Sequence, residues 1–167
     1  MLRKLIWVIK KVKSAFYTRL AALTTNSRSK FKANGFTKLS KHTALGINCH
    51  FNGMVINGKG KVKIGDNFHS GGNCRMITEN HNYNGSQLPY DSTNILKDIV
   101  IEDNVWLGRD VTVLAGVKIG EGAIVQACSV VTSNISALAI AGGHPAVEFS
   151  RRDEKHYIKL KKLKRFH

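Results

Sequence analysis

His81 stands near the start of residues 78–98, "TENHNYNGSQLPYDSTNILKD", a stretch rich in Asn, Ser, Asp and Gly in which no periodic pattern can be followed. A neutral imidazole can take a proton from a weakly acidic group near pH 7, and a long irregular segment inside a compact domain is usually functional. The plain alternative is a solvated loop histidine. His42, His50, His69, His144, His156 and His167 lack that setting, although the repeat described below places His69 on the coil just under the irregular segment, which makes it the second candidate. Cys49, Cys74 and Cys128 form no CxxC pair, so neither a disulfide framework nor a zinc site is indicated, and a reduced, cytoplasmic setting is expected.

The elements that must position His81 repeat every six residues. Read from Ile101, "IEDNVW LGRDVT VLAGVK IGEGAI VQACSV VTSNIS" puts Ile101, Leu107, Val113, Ile119, Val125 and Val131 at the first place of each unit. Val105, Val111, Val117, Ala123, Ser129 and Ile135 fill the fifth. A period of six is neither a helix nor a simple alternation; it predicts short strands and tight corners stacked as a parallel β-helix, three units to a coil, with both sets pointing inward. A less regular copy lies upstream: Leu45 with Cys49, Phe51 with Val55, a slip through "NGKGK", then Ile64 with Phe68, Ser70 with Cys74, and Met76. Cys49 and Cys74 are therefore read as core residues.

The chain is long enough for one domain and carries 26 Lys plus Arg against 11 Asp plus Glu, a formal charge of +15. That charge favours anionic partners without choosing among them. Residues 1–41 hold eleven of the basic residues, and no acidic residue precedes Asp66. Leu2, Leu5, Ile6, Ile9, Val12, Phe16 and Leu20 are spaced as one face of an amphipathic helix, which either caps the open end of the solenoid or meets an anionic membrane surface, with Trp7 as an interfacial anchor. Its unbroken apolar run is too short for a signal peptide or a membrane span. The expected organisation is a basic N-terminal segment 1–41, a β-helix 42–145 with the extended loop 78–98, and a basic C-terminal helix 146–167 packed through Tyr157, Leu160 and Leu163.

From about Leu45 to Arg152 the sequence resembles the hexapeptide-repeat acyltransferases, in particular the branch that O-acetylates galactosides, maltose and capsular sugars. The resemblance is carried by "IGDN" at 64–67, the His81 loop, "IEDNVWLG" at 101–108, "GVKIGEGAIVQACSVVT" at 116–132 and "AGGHPA" at 141–146. It implies an all-β, left-handed parallel β-helix, a homotrimer with active sites between subunits, and acetyl coenzyme A as acyl donor in a groove, with no metal required. By position it makes His81, 25 residues before Trp106, the general base, and gives the oxyanion contact to the backbone amide of Arg109. Asn52, His69 and Asp103 are placed at the acceptor side, and Glu79 or Asp103 as a partner orienting His81. Trp106, Ala127, Thr132, Ser133 and Gly143 fall along the cofactor groove. Ser133 and Val147 stand where the family commonly has basic residues, so Arg151 and Arg152 are candidates to supply the missing phosphate contacts.

The expected function is O-acetylation of a sugar hydroxyl in a surface polysaccharide or its lipid-linked precursor, in the cytoplasm and peripherally at the inner face of the cell membrane. N-acetylation of an amino sugar nucleotide, or acetylation of a small hydroxylated metabolite, would use the same fold and His81. A zinc carbonic anhydrase of the same architecture needs a close HxxxxH pair, which is absent. Nucleic-acid binding would rest on charge without a recognition motif, and a catalytically silent scaffold would have no use for His81.

Overall fold

The computed structural model describes all 167 residues. Three parallel sheets form the faces of a prism. The first face stacks Phe31–Ala33, Cys49–Phe51, His69–Ser70, Trp106–Leu107, Ile124–Val125 and Ala139–Gly143; the second, Thr37–Lys38, Met54–Asn57, Cys74–Ile77, Thr112–Val113 and Val130–Val131. Thr43–Leu45, Val62–Ile64, Ile99–Ile101 and Lys118–Ile119 make the third.

The hexad accounts for this geometry. All six first-place residues from Ile101 to Val131 have no exposed surface, and the fifth-place residues are at most 4% exposed. Inward side chains stack in register as ladders: Leu45, Ile64, Ile101, Ile119 on the third face, and Ile56, Met76, Val113, Val131 on the second. Each fully buried aliphatic side chain contributes about 1.5–3 kcal/mol, so the rungs are held chiefly by these columns. At one corner Asn48, Asn67 and Asn104 adopt φ of 55°, 56° and 59°, a region Asn tolerates. Their amides form a second ladder, Asn48 donating to Asn67 and Asn67 to Asn104.

Three expectations are corrected. Val55 does not point inward: Met54 and Ile56 are buried and Val55 is half-buried, because the turn at Gly53 (φ 137°) starts the strand one residue early. The solenoid begins at Phe31, not residue 42; the first rung buries Ala33, Leu39 and Leu45 at the first places and Thr37 and Thr43 at the fifth. Residues Ala146–Arg151 are not helical but form an antiparallel strand on Ala139–Gly143, satisfying the backbone groups that the last rung leaves open. The C-terminal helix α2 (Glu154–Lys162) starts only after the carboxylate of Asp153 accepts the His156 amide proton. Tyr157 and Leu160 pack and Leu163 is exposed.

The N-terminal helix α1 (Leu2–Ala22) closes the other end of the prism. Ala21 enters the core, and Thr18 both donates to the Ala33 carbonyl and accepts from its amide. The following residues continue the cap, with Thr24 accepting from Leu39, Thr25 donating to Thr43 and Ser29 to Leu45. No helix is long and apolar enough to cross a membrane. The break at 78–98 leaves the prism between Ile77 of the second face and Ile99 of the third, and its stem is a two-stranded antiparallel hairpin, Glu79–His81 with Asn94–Leu96.

Candidate active site

The hairpin stem fixes His81 opposite Asn94, and the ring lies flat on Tyr90, with centroids 3.9 Å apart and planes at 5°. Beyond the stem, Asp91 accepts from the side chain and amide of Thr93 and from the amide of Ser86, and these bonds hold its carboxyl down to about 2. The loop is therefore internally tied, with an exposed imidazole that forms no hydrogen bond within the chain.

The two carboxylates proposed to orient His81 are occupied elsewhere. Glu79 accepts the Lys59 amide proton (2.9 Å), fastening the stem to the "NGKGK" turn. Asp103 accepts the Asp66 amide proton (2.8 Å) through one carboxylate oxygen, as Asp66 accepts that of Ile47, so Asp103 is part of a corner ladder. Tyr90, which sequence spacing did not single out, is the side chain that sets the His81 plane.

Asn52 and His69 do meet. Adjacent rungs of the first face align His50, His69 and Trp106 as an outward column. Asn52 donates to the Ser70 carbonyl (2.8 Å) and lies 3.2 Å from His69 Nε2, while its own oxygen accepts from Asn34. Nε2 thus serves as acceptor and the ring is neutral with its proton on Nδ1. Burial, with His50 and His167 nearby, lowers the His69 pKa; burial, Lys32 and His167 lower that of His50.

Arg109 follows the same strand as Trp106 at the junction of the first and second faces. The rungs approach closely there: a Cβ on Gly71 would lie 2.5 Å from the Arg109 nitrogen, and one on Gly108 would lie 2.4 Å from that of Ala127. Glycine at these places lets the next rung's amide sit at the corner, and the Arg109 N–H has no acceptor within the chain. Asn52, Gly72 and Arg109 share a concavity of about 290 Å³, with the guanidinium over Gly72.

A second groove of about 460 Å³ runs between the first face and α2, with His69 and Trp106 on one side and Arg152, Tyr157, Lys161 and Arg165 on the other. Tyr157 reaches Asn104 (2.8 Å) and Glu121 (2.8 Å), and Lys161 also bonds Glu121, so α2 is braced on the corner ladder. Sequence spacing did not show this wall, because only the fold brings α2 to the face. Ala127, Thr132, Ser133 and Gly143 are exposed near the last rungs. Arg151 donates to the Ala137 carbonyl and half-buried Arg152 to that of Gly122, so both guanidinium groups are partly committed to bracing. Within one chain, neither groove nor any hydrogen bond joins His81 to Asn52, His69, Trp106 or Arg109. No group of three or more metal-binding side chains is assembled.

Comparison with known proteins agrees with this architecture. The family described as "Bacterial transferase hexapeptide (six repeats)" matches residues 98–133. The galactoside O-acetyltransferase of Lactococcus lactis is 32% identical over 136 residues, 80% of this chain and 64% of that protein. A Schizosaccharomyces pombe protein described as an acetyltransferase is 37% identical over 103 residues, 59% of this chain and 45% of its own length. The chain thus spans less than two thirds of the curated relatives it matches. A hexapeptide-repeat-containing acetyltransferase from Vibrio cholerae O1 biovar eltor, solved with acetyl coenzyme A, superposes with a TM-score of 0.60 at 27% identity, covering 76% of this chain and 70% of that one. The stacked hexads and their inward ladders agree with these likenesses: residues 98–133 match the bacterial transferase hexapeptide family, and the chain is similar to hexapeptide-repeat acetyltransferases.

Proposed function

We propose that this protein transfers an acetyl group from acetyl coenzyme A to a sugar hydroxyl of a surface polysaccharide or its precursor, with His81 as general base. The observation that carries the reading is the one long excursion from an otherwise continuous solenoid, which presents an imidazole stacked on Tyr90 with no hydrogen-bond partner in the chain. The solved V. cholerae relative binds the donor, and the L. lactis relative is named for sugar O-acetylation.

In the proposed step His81 accepts the hydroxyl proton as the oxygen attacks the thioester carbonyl. The unpaired Arg109 amide donates to the oxyanion, the C–S bond breaks, and the coenzyme A thiolate leaves with the proton from the imidazolium. A positioned base is worth about 10² to 10⁴ in rate, and an oxyanion donor about 10² to 10³. No acyl-enzyme is formed, so Cys128 has no nucleophilic role. Asn52 and His69 supply polar contacts for the acceptor, Trp106 flanks the acetyl end of the donor, and Ala127, Thr132, Ser133 and Gly143 line the rest of its path, with Arg151 and Arg152 near its phosphates.

The His81 hairpin leaves the corner between the second and third faces, whereas His69 and Trp106 lie on the first face and Asn52 and Arg109 at its corner with the second. This separation supports a homotrimer in which one subunit's loop meets the next subunit's first face. We place the enzyme in the cytoplasm with its acceptor at the inner face of the cell membrane. Thiol release measured with acetyl coenzyme A and a panel of sugar and amino sugar acceptors tests the reading. His81→Ala is expected to lower turnover at least about 10²-fold. Equal release by variant and wild type would refute the mechanism, and a preference for amine over hydroxyl acceptors would refute the O-acetylation.

A further inference from the structure

The apolar stripe of α1 is not the face that caps the prism. Trp7, Ser14 and Ala21, seven residues apart, share the capping side: Ser14 and Ala21 are buried, and Trp7 lines a recess with Lys32 and Asn34 of the first rung and lies under the Lys11 ammonium. Trp7, expected from sequence as an interfacial anchor, thus lies beside the recess and outside the stripe, although it is 57% exposed. Leu5 and Ile9 stand two residues either side of Trp7, and Val12 and Phe16 two either side of Ser14. At about 100° per residue, these four side chains face directly away from the solenoid. They are 57%, 55%, 64% and 62% exposed.

We propose that α1 lies flat in an anionic lipid surface with Leu5, Ile9, Val12 and Phe16 immersed, so that the prism stands on the bilayer by its capped end. Charge decides between lipid and a second copy of the chain as occupant. Arg3, Lys4, Lys10, Lys11, Lys13 and Arg19 lie on this helix with no acidic residue among them. Lys10, Lys11 and Lys13 line the recess beside Trp7 and so flank the stripe without lying on it. Pairing two such helices, each with six cations and no acidic residue to offset them, is opposed by charge, whereas acidic headgroups neutralise it. The geometry also bears on the acceptor. The hairpin leaves the third rung, two rises or about 10 Å above the first, with a helix about 10 Å thick beneath it. A saccharide displayed on a lipid carrier reaches that height. This last point rests on the proposed acetyl transfer; the docking does not.

Sedimentation of the full chain with vesicles tests the docking. Vesicles of about one third phosphatidylglycerol in phosphatidylcholine are expected to bind the protein at least about tenfold more tightly than phosphatidylcholine alone, with the difference shrinking as salt rises. The double variant I9E/V12E should lose at least about tenfold of that binding while keeping its thermal melting and its turnover of a soluble acceptor. His81→Ala should bind vesicles as wild type does, which separates this test from that of the chemistry. Absence of binding to anionic vesicles, equal binding by I9E/V12E, or a lipid-free assembly that the double variant dissolves would overturn the proposal; the last would give the stripe to a second copy.

Discussion

Three thiols of the chain differ in a way that can be measured. Burial pushes Cys49 and Cys74 up to about 11, and each S–H is directed to a carbonyl of the next rung, Gly65 and Gly108 respectively. Cys128 is exposed at a corner with φ of 60°, next to Ala127. One equivalent of thiol should therefore react with a disulfide reagent in the native protein and three after denaturation. If the donor lies along Ala127, saturating coenzyme A should slow alkylation of Cys128 severalfold; an unchanged rate would remove the donor from that wall. The histidine column makes a different forecast. His50 and His69 titrate below their ordinary value of 6.5 when folded, so the unfolded chain takes up more protons as the pH falls through 6.5. Their contribution to stability is present above that pH and declines below it. Thermal melting at pH 7.5 and 5.5 should show the loss, and His50→Gln with His69→Gln should flatten it.

At the scale of the elements, one rung is imperfect. Ser70 occupies the inward place between Phe51 and Leu107 on the first face, and its buried hydroxyl has no hydrogen-bond partner. An unmade bond of this kind costs about 1 kcal/mol or more, so Ser70→Ala should raise the melting temperature by about 2–4 °C. A drop would mean that the hydroxyl is satisfied in solution. Legibility in the sequence follows the same physics. The rungs from Ile101 to Ile135 could be read because each inward place demands an aliphatic or small side chain at fixed spacing. The first rung, with Ala33, Leu39 and Leu45 six apart, keeps the period at its first places, but Thr37 and Thr43 at the fifth weaken it, and the expected boundary stays at residue 42. The strand Ala146–Arg151 was read as helix, since what makes it a strand is the open edge of Ala139–Gly143 and not its own residues. At the site, His81 was visible as a break in the count and His69 as a residue on the coil beneath it, whereas Asn52 came only from the family resemblance and its bond to His69 was not foreseen. The Tyr90 stack and the α2 wall depend on tertiary placement and left no local signal.

At the scale of the whole molecule, the solenoid is capped at one end by a cationic helix and closed at the other by a returning strand. The proposed chemistry divides between two subunits, and that claim is the one on which the functional account turns. Co-folding His81→Ala with Asn52→Ala chains and assaying thiol release tests it most directly. Each variant alone lacks one half of every site, but in mixed trimers a loop with His81 can meet a face with Asn52, restoring about a quarter of the wild-type sites at random assembly. The account predicts recovery of activity well above either parent protein. A mixture no more active than its two parents would place His81 and Asn52 in a single chain's site, or outside the site altogether, and would contradict it.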